Sequence, residues 1–540
     1  MLNTVAELRT NAAARIGIVM LAASLSTFAV PSAVAQSAAS DKNSAVAAGK
    51  GPPPVAHKVI ISNMPQRRSR IHALLTKALG KSEGERLGHT QSEVWTVPQS
   101  RLARLVERLR QHGCKVTRLR EDWNHLLTRH QGKVVMSPAQ QSVLAKARAS
   151  RETVGVGMMK APDAAVAEYA LTNGANKPVP AGSAPPEDSV SRIVLPVNDA
   201  QHVTVRRLTV VTTDKGSTWR GTIEETGESA VLMWWKDGHL SGVFGYKGHI
   251  YTIVNMGGEV HAVVETDPKM MPPDHSPEKA DNARPPQDRA AAQPESIAKS
   301  PPPPPQVKPL SDAERLALEA KKITIDLMLL YTQKAASRYI RDPGDLLELA
   351  VEQANETFRN SGLGNISLRL VHAQLIDYDE TGGDQFTHLY RMVDGLGAFK
   401  DVRKLRNEKR ADIVGLILED PSGCGLSTRV GADAEEAYFV VHHSCAAITI
   451  SIAHEIGHII GARHDRIIDA NEAPFPYGHG HVNGTKWRDI MSYQQGCDGC
   501  PRIPFWSNPR IMYRGEPTGT YAEDNARVIL EQAERVSNFR

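Results

Sequence analysis

Hydrophobic and polar positions divide this chain into tracts of different period. Beyond Lys58, Val59–Ile61 predicts a strand, Ser69–Leu79 a helix, Glu93–Val97 a strand, Ser100–Gln111 a strongly amphipathic helix and Lys115–Leu119 a strand. Residues 58–125 therefore read as a small α/β unit, and 126–187 as a polar, helix-prone connector. Over 188–268 the pattern becomes strand-like. Runs at Thr204–Thr212, Trp219–Glu225, Ala230–Trp235, Leu240–Tyr246, Ile250–Val254 and Val260–Glu265 are separated by turn pairs such as Asp237-Gly238 and Gly257-Gly258, which predicts an antiparallel β domain. A Pro/Ala-rich tract containing Pro301–Pro305 fills 269–322 and reads as a semi-rigid linker.

The last tract, 323–540, is long enough for one domain with its own core. Strands at Ile323–Tyr331, Ile366–Leu375, Ile413–Leu418 and Ala437–His442 alternate with a helix at Leu346–Arg359 and helical segments across 384–408. That alternation predicts an α/β sandwich with one late edge strand of antiparallel sense.

At the other end, Arg9 and Arg15 precede an apolar run, Ile16–Val30, and then Ala33-Val34-Ala35. Residues 1–35 read as a cleaved signal peptide and 36–57 as a flexible leader. The run is shorter than the roughly 20 residues of a membrane span. The expectation is a secreted or periplasmic protein with no membrane span once the signal is removed. Lys and Arg total 64 against 60 Asp and Glu, a net charge of +4 that gives no case for a nucleic-acid partner. The balance is uneven, however: 323–540 is acidic and the preceding region basic, which favours their docking.

The chemistry concentrates at His454-Glu455-Ile456-Gly457-His458-Ile459-Ile460-Gly461-Ala462-Arg463-His464-Asp465. His454 and His458 stand one turn apart on one helix face, as two zinc ligands require. Glu455, rotated away from both, is placed to act on a water at the metal as general base. Gly461 permits the positive φ that ends the helix and brings His464 round as third ligand, leaving the fourth position open. One catalytic Zn²⁺ is expected; the sequence gives no reading on calcium. Four cysteines flank this segment. In an exported protein the favoured pairing is Cys424–Cys445 and Cys497–Cys500, although four cysteines allow three connectivities and a structural Cys₄ zinc site is the rival. Cys114 reads either as a latency switch whose thiolate takes the open metal position or as an apolar filler where a helix stops.

On this motif, together with Arg488-Asp489-Ile490-Met491-Ser492-Tyr493, the chain resembles the metzincin zinc metalloproteases. Asp465 is similar to the reprolysin branch. Cys424-Gly425-Leu426, Tyr477-Gly478-His479-Gly480, Cys497-Asp498-Gly499-Cys500 and Ser507-Asn508-Pro509 resemble the bacterial peptidyl-Asp metalloendopeptidases. The resemblance implies a metzincin-like catalytic domain with a twisted mixed sheet, acting on protein or peptide substrates. It further implies Met491 as the floor beneath the histidines, Tyr493 as a stabiliser of the oxyanion, and cleavage next to acidic residues. An arginine must then meet the substrate carboxylate, with Arg502 and Arg510 as candidates. The long preceding region reads as a prosegment, an intramolecular inhibitor or chaperone, removed by a cut within 281–322. The rival readings are an exported binding or adhesion protein with a structural metal site and a zinc hydrolase of non-peptide substrates.

Overall fold

The computed structural model describes residues 56–62, 68–80, 84–86, 92–118, 125–127, 135–160, 192–198, 201–212, 215–236, 238–274, 307–339 and 343–540. The expected signal peptide, nearly all of the leader and residues 275–306 lie outside the described residues.

The small α/β unit forms as its periods predict. Strands Ala56–Ser62, Glu93–Pro98, Lys115–Arg118 and the short Glu85–Arg86 make an antiparallel sheet with helices Arg68–Leu79 and Gln99–Gln111. Leu102, Leu105 and Leu109, at helical spacing, close over Val59, Ile61 and Leu75.

The β region is a nine-stranded sheet and includes a strand that the pattern hides. Thr153–Lys160, within the expected helical connector, pairs antiparallel with Val260–Thr266 at the sheet edge. Gly155 and Gly157 dilute its alternation; at Gly155 a Cβ would stand 3.0 Å from Glu265 Oε2 across the pair. The connector does contain a helix, Pro138–Ala149, with a Ser137/Gln140 capping box. The central strand Ser229–Trp235 is apolar on both faces. Ala230, Leu232 and Trp234 pack with Trp219 and Phe244, while Val231 and Met233 join the core of the C-terminal region.

That second face covers helix Gly344–Asn360. Arg220, only 7% exposed, pairs with Glu352 and, at 2.6 Å, with Glu356; Lys215 pairs with Glu348, and His239 lies 2.6 Å from Asp345. The uneven charge along the sequence is thus matched across this contact. The exposed pairs contribute little to stability, so shared apolar burial carries most of the contact.

In the C-terminal region strands Ile366–Ile376, Ile323–Thr332, Ile413–Leu418 and Tyr438–His442 lie parallel in that order, and Gly425–Ser427 adds an antiparallel edge. The antiparallel member is this three-residue strand, too short to show a period, whereas Tyr438–His442 is an interior parallel strand. The tract expected to be linker is also partly structured. Asp312–Glu319 is a helix with a Ser311/Glu314 capping box, and residues 271–274 lie against the C-terminal region. Among the described residues no helix is long and apolar enough to cross a membrane.

Candidate metal centre and substrate cleft

Helix Ser451–Ile460 is buried along its whole length, with Ile452, Ile456 and Ile459 in the core. Gly457, between the two histidines, leaves no room for a side chain: a Cβ would stand 2.7 Å from the Trp506 ring and 3.0 Å from Met491 Sδ. The helix ends at Gly461 with φ 136°, where the Gly461 and Ala462 N–H groups both donate to Gly457 O. The chain then reverses into Arg463–Asp465, which pairs with His479–Gly480 and carries His464 across to the other two rings.

The three Nε2 atoms converge. His458 Nε2 lies 3.2 Å from His454 Nε2 and 2.9 Å from His464 Nε2, and the third separation is 3.3 Å. Nitrogens 2.0–2.1 Å from a tetrahedral zinc stand about 3.3 Å apart, so the donor set fits that ion. Nδ1 of His454 donates to Ile490 O and Nδ1 of His458 to Ala462 O, both at 2.9 Å, which leaves each Nε2 lone pair facing the others. Burial and the neighbouring His464 hold His458 well below the ordinary histidine pKa, in the neutral form that binds a metal.

Met491 is fully buried, with its Sδ packed towards Gly457 between the two helical histidines. Its turn is held by Asp489, which accepts from Ser492 Oγ at 2.6 Å and from the Ser507 N–H at 3.0 Å. Asp465 ties the third histidine to the same turn, accepting from Tyr493 N at 3.0 Å and Ile467 N at 3.1 Å. The buried Tyr493 ring has its centroid 4.3 Å from that of His464.

Glu455 is fully buried beside the edge strand. Burial pushes its carboxyl well above the ordinary range, outweighing the charge of Arg502. A Cβ at Gly425 would stand 2.4 Å from Glu455 Oε1, so this glycine is a packing requirement of the carboxylate. Gly425→Ala is expected to lower kcat by about a hundredfold through displacement of Glu455, with little change in Tm; steady-state kinetics beside a thermal melt reads both.

The cysteines form two disulfides, Cys424–Cys445 and Cys497–Cys500, in place of the Cys₄ alternative. Cys114 packs with Leu75, Leu109 and Val59 in the core of the small α/β unit, where burial raises its thiol pKa. That environment matches the apolar filler and opposes the thiolate that a latency switch would offer to the metal. The Arg510 guanidinium is engaged by Asp524, at 3.1 and 3.4 Å, the residue that caps helix Asn525–Val536. Arg502 remains, joined by Arg488, which the sequence reading passed over. A backbone bridge sets the two side by side, with Ile503 N–H donating to Arg488 O at 2.8 Å. Only the location of Arg488 within the methionine-turn segment hinted at this.

Residues 321–507 match the family model for reprolysin-like metallopeptidases of family M12. The chain is 33% identical over 307 residues to a peptidyl-Asp metalloendopeptidase of Xanthomonas campestris, covering 56% of this chain and 67% of that protein. A protein of the same name from Stenotrophomonas maltophilia is 30% identical over 328 residues, 59% of this chain and 72% of its own length. A third, from Pseudomonas fragi, is 41% identical over 99 residues, 18% of this chain and 62% of that protein.

Proposed function

Because this chain belongs to the reprolysin-like metallopeptidases of family M12, and is a metalloendopeptidase, we propose that it cuts protein and peptide chains at the His454, His458 and His464 site, next to acidic residues. The observation that carries this reading is the convergence of three Nε2 atoms within 3.3 Å of one another beside a buried carboxylate. His454, His458 and His464 would hold one Zn²⁺, which supplies Lewis acidity to the scissile carbonyl and to water.

Glu455 takes the proton of the attacking water and returns it to the leaving amine. Its burial beside Gly425 favours the neutral form that it takes after proton uptake. Tyr493, whose ring is tilted against that of His464, donates its hydroxyl to the developing oxyanion. Arg502 meets the substrate carboxylate. The chain acts outside the cytoplasm, secreted or periplasmic, in keeping with its two disulfides, and is made as a zymogen whose N-terminal region packs over helix Gly344–Asn360. The relatives' name supports the acidic preference; three imidazoles with an adjacent carboxylate support catalysis over a structural metal site.

A proteome-derived peptide mixture tests the reading. Cuts clustered beside Asp and Glu, lost with a chelator and regained with Zn²⁺, are expected. Undigested peptides, with the N-terminal region removed and Zn²⁺ present, would return the chain to the class of binding proteins.

A further inference from the structure

The Arg488–Arg502 pair already holds a carboxylate, and that carboxylate belongs to this chain. Asp274 Oδ1 accepts from Arg502 Nη2 at 2.9 Å, and Asp274 Oδ2 lies 3.5 Å from Arg488 Nη1. All three side chains are largely buried. The guanidiniums are otherwise fixed by main-chain carbonyls: Arg488 donates to Ser492 O and Cys500 O, and Arg502 to Thr449 O. Such a fork, oriented before its anion arrives, is what carboxylate recognition requires.

The backbone before Asp274 is seated as a ligand would be. Met271 packs into the C-terminal core, and Pro273 O accepts from Cys424 N–H at 2.7 Å, immediately before the edge strand Gly425–Ser427. An extended segment added to an exposed sheet edge is a standard mode of peptide capture. Pro272 and Pro273 fix φ and offer no N–H, so the segment enters already shaped. The carbonyl preceding Asp274 is engaged by Cys424, which orients it for binding at the edge.

We propose that Met271-Pro272-Pro273-Asp274 is a built-in pseudosubstrate: Asp274 fills the Arg488–Arg502 pocket that otherwise receives the acidic side chain of a substrate, and so holds the full-length enzyme latent. The proposal rests on the peptidase reading above and adds the occupant of the pocket and its second arginine. Electrostatics agree with the placement. Burial raises the Asp274 carboxyl, but Arg502 and Arg488 outweigh it and hold the group charged.

The test uses the full chain carrying Asp274→Asn. Turnover of an Asp-containing fluorogenic peptide is expected to rise about tenfold or more over the uncut wild type, and a synthetic peptide spanning 269–276 added in trans is expected to restore latency, its Asn counterpart failing. A second readout needs no activity. The chain carrying both Asp274→Asn and Glu455→Gln is expected to bind the labelled Asp peptide by fluorescence anisotropy about tenfold more tightly than the Asn peptide, and Arg502→Gln or Arg488→Gln to erase that preference. Discrimination in binding with no turnover in any active-site-intact variant leaves Asp274 as the occupant of a carboxylate pocket but removes the peptidase reading, and the latency proposal with it. Turnover with equal affinity for the Asp and Asn peptides, or an Asp274→Asn chain that folds and stays latent, overturns the pseudosubstrate and leaves the peptidase.

Discussion

Glu455→Gln is expected to lower kcat/KM by at least about a thousandfold while metal content stays that of the wild type. The exchange conserves shape and removes one capacity, the acceptance of a proton. The three Nε2 atoms are oriented by other groups, Ile490 O and Ala462 O for the helical pair and the Arg463–Asp465 strand for His464, so the ligand set has no reason to move. Stability provides an internal control. In the metal-free chain burial raises the Glu455 pKa above its unfolded value, so ionisation opposes folding as pH climbs through the carboxylate range. A neutral amide avoids that cost, and the Tm of metal-free Glu455→Gln at pH 7 should equal or exceed that of the wild type. Elemental analysis, a melt and a peptide assay on the same sample decide the matter. More than a tenth of wild-type turnover would take the base role from Glu455.

The zinc-motif residues were legible because their relation is local. The four-residue spacing of His454 and His458 is set by helix geometry, and Gly461 announces the reversal that brings in His464. The strands of 202–266 were equally plain, since alternation and turn pairs are properties of neighbouring residues. Missed features depended on distance or on brevity. Gly425–Ser427 has only three residues, and the glycines of Thr153–Lys160 blur an alternation that pairing with Val260–Thr266 makes real. Arg488 and Arg502 are 14 positions apart and become neighbours only through the bridge beside the Cys497–Cys500 disulfide. Arg510, which looked equivalent to Arg502, is claimed by Asp524. Asp274 is the extreme case: it reaches Arg502 across 228 positions, from a tract whose prolines suggested only a spacer.

His464→Ala should separate a metal ligand from an outer support of one. Removing a hydrogen-bond partner of a ligand commonly costs ten- to a hundredfold in metal affinity, so a larger loss is the mark of direct ligation. His479 supplies the control. It is buried, and its Nδ1 donates to His464 O at 2.9 Å, supporting the chain that carries His464 without joining the Nε2 cluster. In competition with a chromogenic chelator, His479→Ala is expected to weaken zinc affinity within that range. His464→Ala should weaken it by more than about a hundredfold and abolish turnover, because two imidazoles on one helix leave two tetrahedral positions open instead of one. Folding should survive both changes, since the core around Ile456, Met491 and Trp506 does not depend on either ring. Equal losses in the two variants would place His464 in the supporting layer and oblige some other side chain to complete the metal site.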